Sequence, residues 1–123
     1  MKVIVSDPIS DDGLKIFKQN GIDVIDAVGV KIDENYEHIS EANGWVIRSG
    51  TTLDASILRK ASSLSVIGRA GVGIDNIDIY AATRRGIVVM NTPDANTISA
   101  AEHTLALILA LSRNVSQGHQ SLL

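Results

Sequence analysis

Cysteine is absent from the 123 residues, which removes disulfide frameworks and thiolate metal sites and suits a reducing compartment such as the cytoplasm. Proline occurs only twice, and 45% of the residues are hydrophobic against 20% charged, a balance that folds rather than staying disordered. Blocks of like charge are missing and the formal net charge is -3, so no basic face exists for nucleic acid or an anionic membrane surface. Long apolar runs are missing too: the longest, Leu105 to Leu111, is seven residues, whereas crossing a bilayer takes about 20. At the N-terminus, Val3-Ile4-Val5 is too short for a signal peptide and Asp7-Pro8 interrupts it at once. Internal repeats and low-complexity segments are also lacking.

What is present suffices for one core, since a chain of this length buries roughly two-thirds of the surface its unfolded form exposes. Val3 to Ser6, Asp23 to Ala27, Trp45 to Arg48, Ser65 to Ile67 and Ile87 to Met90 are short Val/Ile-rich runs, as expected of strands buried on both faces. Helix-start signals lie between them: Ser10-Asp11-Asp12, Asp33-Glu34, Asp54 and Asp78, with Gly21 and Gly86 as C-terminal stops. The alternation predicts a five-stranded parallel sheet with right-handed crossovers, a flavodoxin-like doubly wound α/β domain. Beyond it, Ser99-Ala-Ala-Glu102 has capping-box spacing and predicts a helix to about Arg113. That helix is apolar around most of its circumference, more than one small sheet covers, so further polypeptide or a second copy is expected to pack there.

The most informative stretch, Val66-Ile-Gly-Arg-Ala-Gly-Val-Gly-Ile-Asp-Asn76, runs a buried strand into a turn with glycines at 68, 71 and 73. Ligands of open parallel sheets bind beyond the carboxyl ends of the strands, where free N–H groups of such a turn cradle an anion. The same glycines also suit an ordinary tight strand-to-helix turn. Their spacing is not G-x-G-x-x-G, so a dinucleotide phosphate loop is rejected here.

Arg48 ends the third strand and Arg69 the fourth, which places both guanidinium groups over one sheet edge and suits a ligand with two anionic groups. Taken singly, each reads as a surface arginine paired with Asp54 or Asp75. Pro93 fixes the chain where it turns out of the sheet, a candidate hinge, and Asn96 is either a helix cap or a ligand contact. His38, His103 and His119 have no metal-ligand spacing and no nucleophile partner, and Glu102 and His103, adjacent on a helix, do not face each other. Ser49, Thr51 and Thr52 lack a base, and Arg84-Arg85 reads as a solvated helix end. No catalytic residue and no metal ligand is assigned.

The runs Arg48-Ser-Gly-Thr51, Val66 to Asp78, Ala81 to Pro93 and Ser99-Ala-Ala-Glu-His-Thr104 resemble the D-2-hydroxyacid dehydrogenases, most closely those acting on 3-phosphoglycerate. The resemblance spans essentially the whole chain. It implies a substrate-binding domain over residues 1–96, then a crossover helix over 97–123 that opens an NAD-binding domain, with the active site in the cleft between domains. It implies that backbone around Ala70, Gly71 and Val72 meets the substrate carboxylate and that Arg48, Ser49, Arg69 and Asn96 contact the substrate or its phosphate. Val72 and Thr104 match positions that touch NAD, and the helix from about Ser99 to Arg113 matches a homodimer interface. The implied reaction is oxidation of 3-phosphoglycerate to 3-phosphohydroxypyruvate, in serine biosynthesis. The family's glycine fingerprint and its catalytic arginine, glutamate and histidine have no counterpart in these residues, so the chain alone is expected to be inactive. A fragment of a glycerate, glyoxylate or D-lactate dehydrogenase, or a non-enzymatic anion-binding or assembly module, remains an open alternative.

Overall fold

β-Branched side chains pack well on a pleated surface, and all five Val/Ile-rich runs form strands in the computed structural model, which describes residues 1–32 and 36–122. They are β1 (Lys2–Val5), β2 (Asp23–Asp26), β3 (Gly44–Ile47), β4 (Val66–Arg69) and β5 (Val88–Asn91). All pair in parallel, in the order β2-β1-β3-β4-β5, which is the flavodoxin-like order. β4 continues past Ile67 because Gly68 and Arg69 stay in register with Val46 and Ile47.

The helices begin where short polar side chains accept the first free N–H groups. Ser10 caps α1 (Asp11–Gln19), Asp54 caps α3 (Ala55–Lys60) and Asp78 caps α4 (Ile79–Arg84). For α2 (Tyr36–Glu41), the expected start at Asp33-Glu34 lies outside the described residues. Gly21 and Gly86 sit at φ of 65° and 69°, a region that glycine enters without strain, and each follows a helix end.

The two sheet faces are covered unequally. Ile39 of α2, Leu58 of α3 and Ala82 of α4 bury one face against Ile4, Trp45, Ile47 and Ile67, all 1% exposed or less. Burial of each such aliphatic side chain contributes about 1.5–3 kcal/mol. On the opposite face, Val46, Gly68 and Met90 lie in one register, and α1 reaches only its β1 and β2 side, where Leu14 shares a cleft with Val5 and Val24. Val88 and Met90 on the edge strand β5 remain 57% and 55% exposed.

The chain divides into two compact units, Met1–Thr92 and Pro93–Leu123. The second consists of α5 (Thr97–Ser112) and α6 (Val115–Gln120), the latter following Asn114 in the left-handed conformation. The capping box expected at Ser99 does not form. The Ala100 N–H already bonds the Asn96 carbonyl, which makes Thr97 the first helical residue and puts Ser99 inside the first turn. Asn96 occupies the cap position without a side-chain cap bond. Leu105, Leu107, Ile108, Leu109 and Leu111 of α5 are all at least half exposed, and among the described residues no helix is long and apolar enough to cross a membrane.

Candidate functional site

In a parallel sheet all carboxyl ends share one edge, and the crevice opens where successive crossovers depart in opposite directions. Here that point lies between β1 and β3. Ser6-Asp7-Pro8 leaves β1 there and Arg48-Ser49-Gly50-Thr51 leaves β3, and the two segments are bonded tightly together. The Asp7 carboxylate accepts the backbone N–H of Arg48 at 2.6 Å and of Thr51 at 3.0 Å. Ser6 Oγ meets the Trp45 indole N–H at 2.9 Å and the Thr51 hydroxyl at 3.0 Å. From the β4 side, Asn76 Nδ2 donates to the carbonyls of both Arg48 and Thr51 at 2.6 Å.

The glycine-rich turn after β4 is anchored through its carbonyls. The Thr92 N–H bonds the Gly71 carbonyl at 3.0 Å, and Asn91 Nδ2 bonds that of Val72 at 2.7 Å. Of the three residues expected to present backbone to a carboxylate, Ala70 gives its N–H to the Ile47 carbonyl and Gly71 to that of Arg69. The N–H groups of Val72 and of the next residue, Gly73, make no hydrogen bond among the described residues. A Cβ on Gly71 would overlap the Arg69 guanidinium, which lies across it. A Cβ on Gly73 would come within 2.8 Å of Asp75 Oδ1, so one carboxylate shares this turn.

Both expected arginines are at this edge. Arg48 is exposed and donates from Nη1 to the Pro8 carbonyl at 3.3 Å, while Arg69 is half-buried with its Nε unbonded. Among the described residues neither forms an ion pair with Asp54 or Asp75. Arg48 lines a shallow apolar cleft of about 560 Å³ with Ile16, Phe17, Val46 and Ala70. Arg69 lines an adjoining one of about 310 Å³ that shares Val46 and Ala70. Ser49 lies between the arginine and Gly50, with its side chain exposed.

Within the second unit, Asn96 caps α5 and Thr104 Oγ1 donates to its own helix at the Ala100 carbonyl, 2.8 Å away. His103 and His119 are exposed there, as His38 is on α2, and among the described residues no cluster of His, Asp or Glu could hold a metal. Arg85, expected to be simply solvated, instead donates from Nη2 to the Ala61 carbonyl at 2.9 Å. The edge therefore offers cations and backbone donors but no acid–base pair. It can bind and orient an anion. It does not make a dinucleotide cradle, because residues 74–78 separate the glycine turn from α4. Sequence reasoning missed Asp7, Asn76 and Asn91 and the free N–H of Gly73, although it singled out that glycine; the one available signal was the position of Asp7 directly after a strand.

Residues 3–120 match the model of the D-isomer specific 2-hydroxyacid dehydrogenase catalytic domain. Two relatives described as D-3-phosphoglycerate dehydrogenase are similar over nearly all of the chain. That of Archaeoglobus fulgidus is 46% identical over 121 residues, 98% of this chain and 23% of its own length. That of Methanocaldococcus jannaschii is 48% identical over 122 residues, 99% of this chain and 23% of its own. Among solved structures, the NAD+-bound 3-phosphoglycerate dehydrogenase of Entamoeba histolytica superposes with a TM-score of 0.74 at 33% identity, over 89% of this chain and 38% of that one. The chain thus spans about a quarter of the length of the curated relatives it matches.

Proposed function

The chain belongs to the D-isomer specific 2-hydroxyacid dehydrogenase family, and on that basis we propose that it is the substrate-binding part of an NAD-dependent D-3-phosphoglycerate dehydrogenase. One observation carries the reading: the free N–H groups of Val72 and Gly73 lie in a turn whose strand also ends in Arg69, on the same sheet edge as Arg48. A 2-hydroxy acid bearing a phosphate has an anion at each end. The free turn amides of Val72 and Gly73 suit the carboxylate, and the two guanidinium groups suit the phosphate, with Ser49 as a further donor.

In this reading residues 1–96 bind substrate and 97–123 lead into the cofactor domain, with Asn96 contributing to the substrate and Val72 and Thr104 to NAD. When bound, NAD supplies the hydride acceptor. The described residues do not fit its pyrophosphate, so most of its contacts belong to other parts of a relative-length polypeptide, as does the acid–base chemistry. What these residues do is bind and align the substrate and exclude water from one side of it. The enzyme works in the cytoplasm as a homodimer through α5, whose apolar residues are otherwise left in water.

The test is NAD-dependent oxidation of D-3-phosphoglycerate, with the 123-residue chain and the full-length gene product assayed side by side. Activity confined to the full-length protein is expected. Turnover by the chain alone would refute the placement of catalysis elsewhere. An inactive full-length protein would reject the substrate and favour glycerate, glyoxylate or D-lactate, or a binding module.

A further inference from the structure

Asp7 is the one charged residue among those described that is more than nine-tenths buried, at 7% exposure. A carboxylate leaves water at considerable cost unless hydrogen bonds replace its hydration. It is also the wrong sign for its surroundings, since it stands at the edge where an anionic substrate would bind and would repel it. Its bonds show what it does instead. Both go to one loop, to the N–H groups of Arg48 and Thr51, and the carbonyls of the same two residues are held by Asn76.

Each end of the loop is thus gripped through its N–H by β1 and through its carbonyl by the β4 turn. Ser49 and Gly50 lie between the two grips, and the Arg48 side chain leaves from a backbone bonded at both its N–H and its carbonyl. Gly50 belongs to the same device, because a Cβ there would overlap Asp7 Oδ1. That carboxylate cannot swing away as a long side chain would: it is short, buried and doubly bonded.

We infer that Asp7 is a positioning residue that, with Asn76, holds the Arg48–Thr51 loop so that the Arg48 guanidinium and Ser49 hydroxyl face the anionic substrate. This rests on the substrate reading above. It assigns Asp7 no contact with substrate and no proton transfer; it acts through Arg48.

The experiment is steady-state kinetics of the full-length enzyme with D-3-phosphoglycerate, comparing Asp7→Ala, Asp7→Asn, Gly50→Ala and Arg48→Ala. Asp7→Ala is expected to raise KM about tenfold with kcat within about twofold, as loss of substrate binding does. Gly50→Ala, which forces the loop away from the carboxylate, should reproduce the effect if Asp7→Ala folds poorly. Asp7→Asn should recover most of it, since one amide oxygen can accept both N–H groups. In an Arg48→Ala background the Asp7→Ala effect should shrink to about twofold or less, the signature of residues acting through one another.

Additive effects in that double variant, or equal losses in kcat and KM terms across the set, would overturn the inference. If the unaltered enzyme fails to oxidise 3-phosphoglycerate, the substrate reading falls, and the clamp is then decided by amide resonances of the 123-residue chain. Displacement of the Arg48 and Thr51 N–H signals in Asp7→Ala, larger than in Asp7→Asn, supports it, and their constancy in Asp7→Ala overturns it.

Discussion

A side chain at either of two glycines at the sheet edge would meet an obstacle, and the two cases differ in what would have to move. At Gly50 the obstacle is the buried Asp7 carboxylate; at Gly71 it is the far end of the Arg69 side chain. A long side chain can swing aside, so Gly71→Ala should cost little stability, within about 0.5 kcal/mol, by thermal unfolding. It should nonetheless expel Arg69 from the turn and weaken 3-phosphoglycerate binding about tenfold by titration calorimetry, the scale of one charge-assisted contact. Unchanged affinity would show that Arg69 does not serve the ligand. The glycine spacing and the two arginines were legible in the sequence, because strand ends in a parallel sheet must share an edge. Asp7 was not: its importance comes from pairing with Arg48, 41 positions away, which depends on strand order rather than any local pattern.

Among the elements, the strands were readable because β-branched runs favour a pleated backbone, although the edge strands β2 and β5 are not buried on both faces as expected, and three helix starts because Ser10, Asp54 and Asp78 bond the N–H groups they precede. Ser99 misled because capping-box spacing says nothing about whether the chain before it has already turned helical, and Thr97-Ile98 has. The cap at Asp54 also has a pH signature. The Ser56 hydroxyl, then the Ile57 and Ser56 N–H groups, bond its charged form and hold its carboxyl below the ordinary 3.8. Its stabilisation is complete above the unfolded value and disappears as pH falls through the lowered folded one. Urea unfolding between neutral and acid pH should therefore show a shallower acid decline for Asp54→Asn than for the parent, and parallel curves would contradict this.

For the whole chain, the sequence pointed to an apolar helix, and α5 forms with Leu111 77% exposed and Leu109 65%. As isolated, the 123-residue chain is expected to self-associate, with sedimentation velocity reporting a concentration-dependent species larger than monomer. Ile108→Glu should shift it to monomer by burying an unpaired charge at any such contact. A monomer at all concentrations would argue against α5 as the homodimer interface.

The strand order also governs how the sheet is assembled during synthesis. β1 leaves the ribosome first, β2 takes one side of it, and β3, β4 and β5 then join the other side in the order in which they are made. No strand ever has to be inserted between two that are already paired. From β4 onward each strand adds to the one made just before it, so the nascent chain can fold in step with translation, with only the β2 edge and the growing edge open to mispairing.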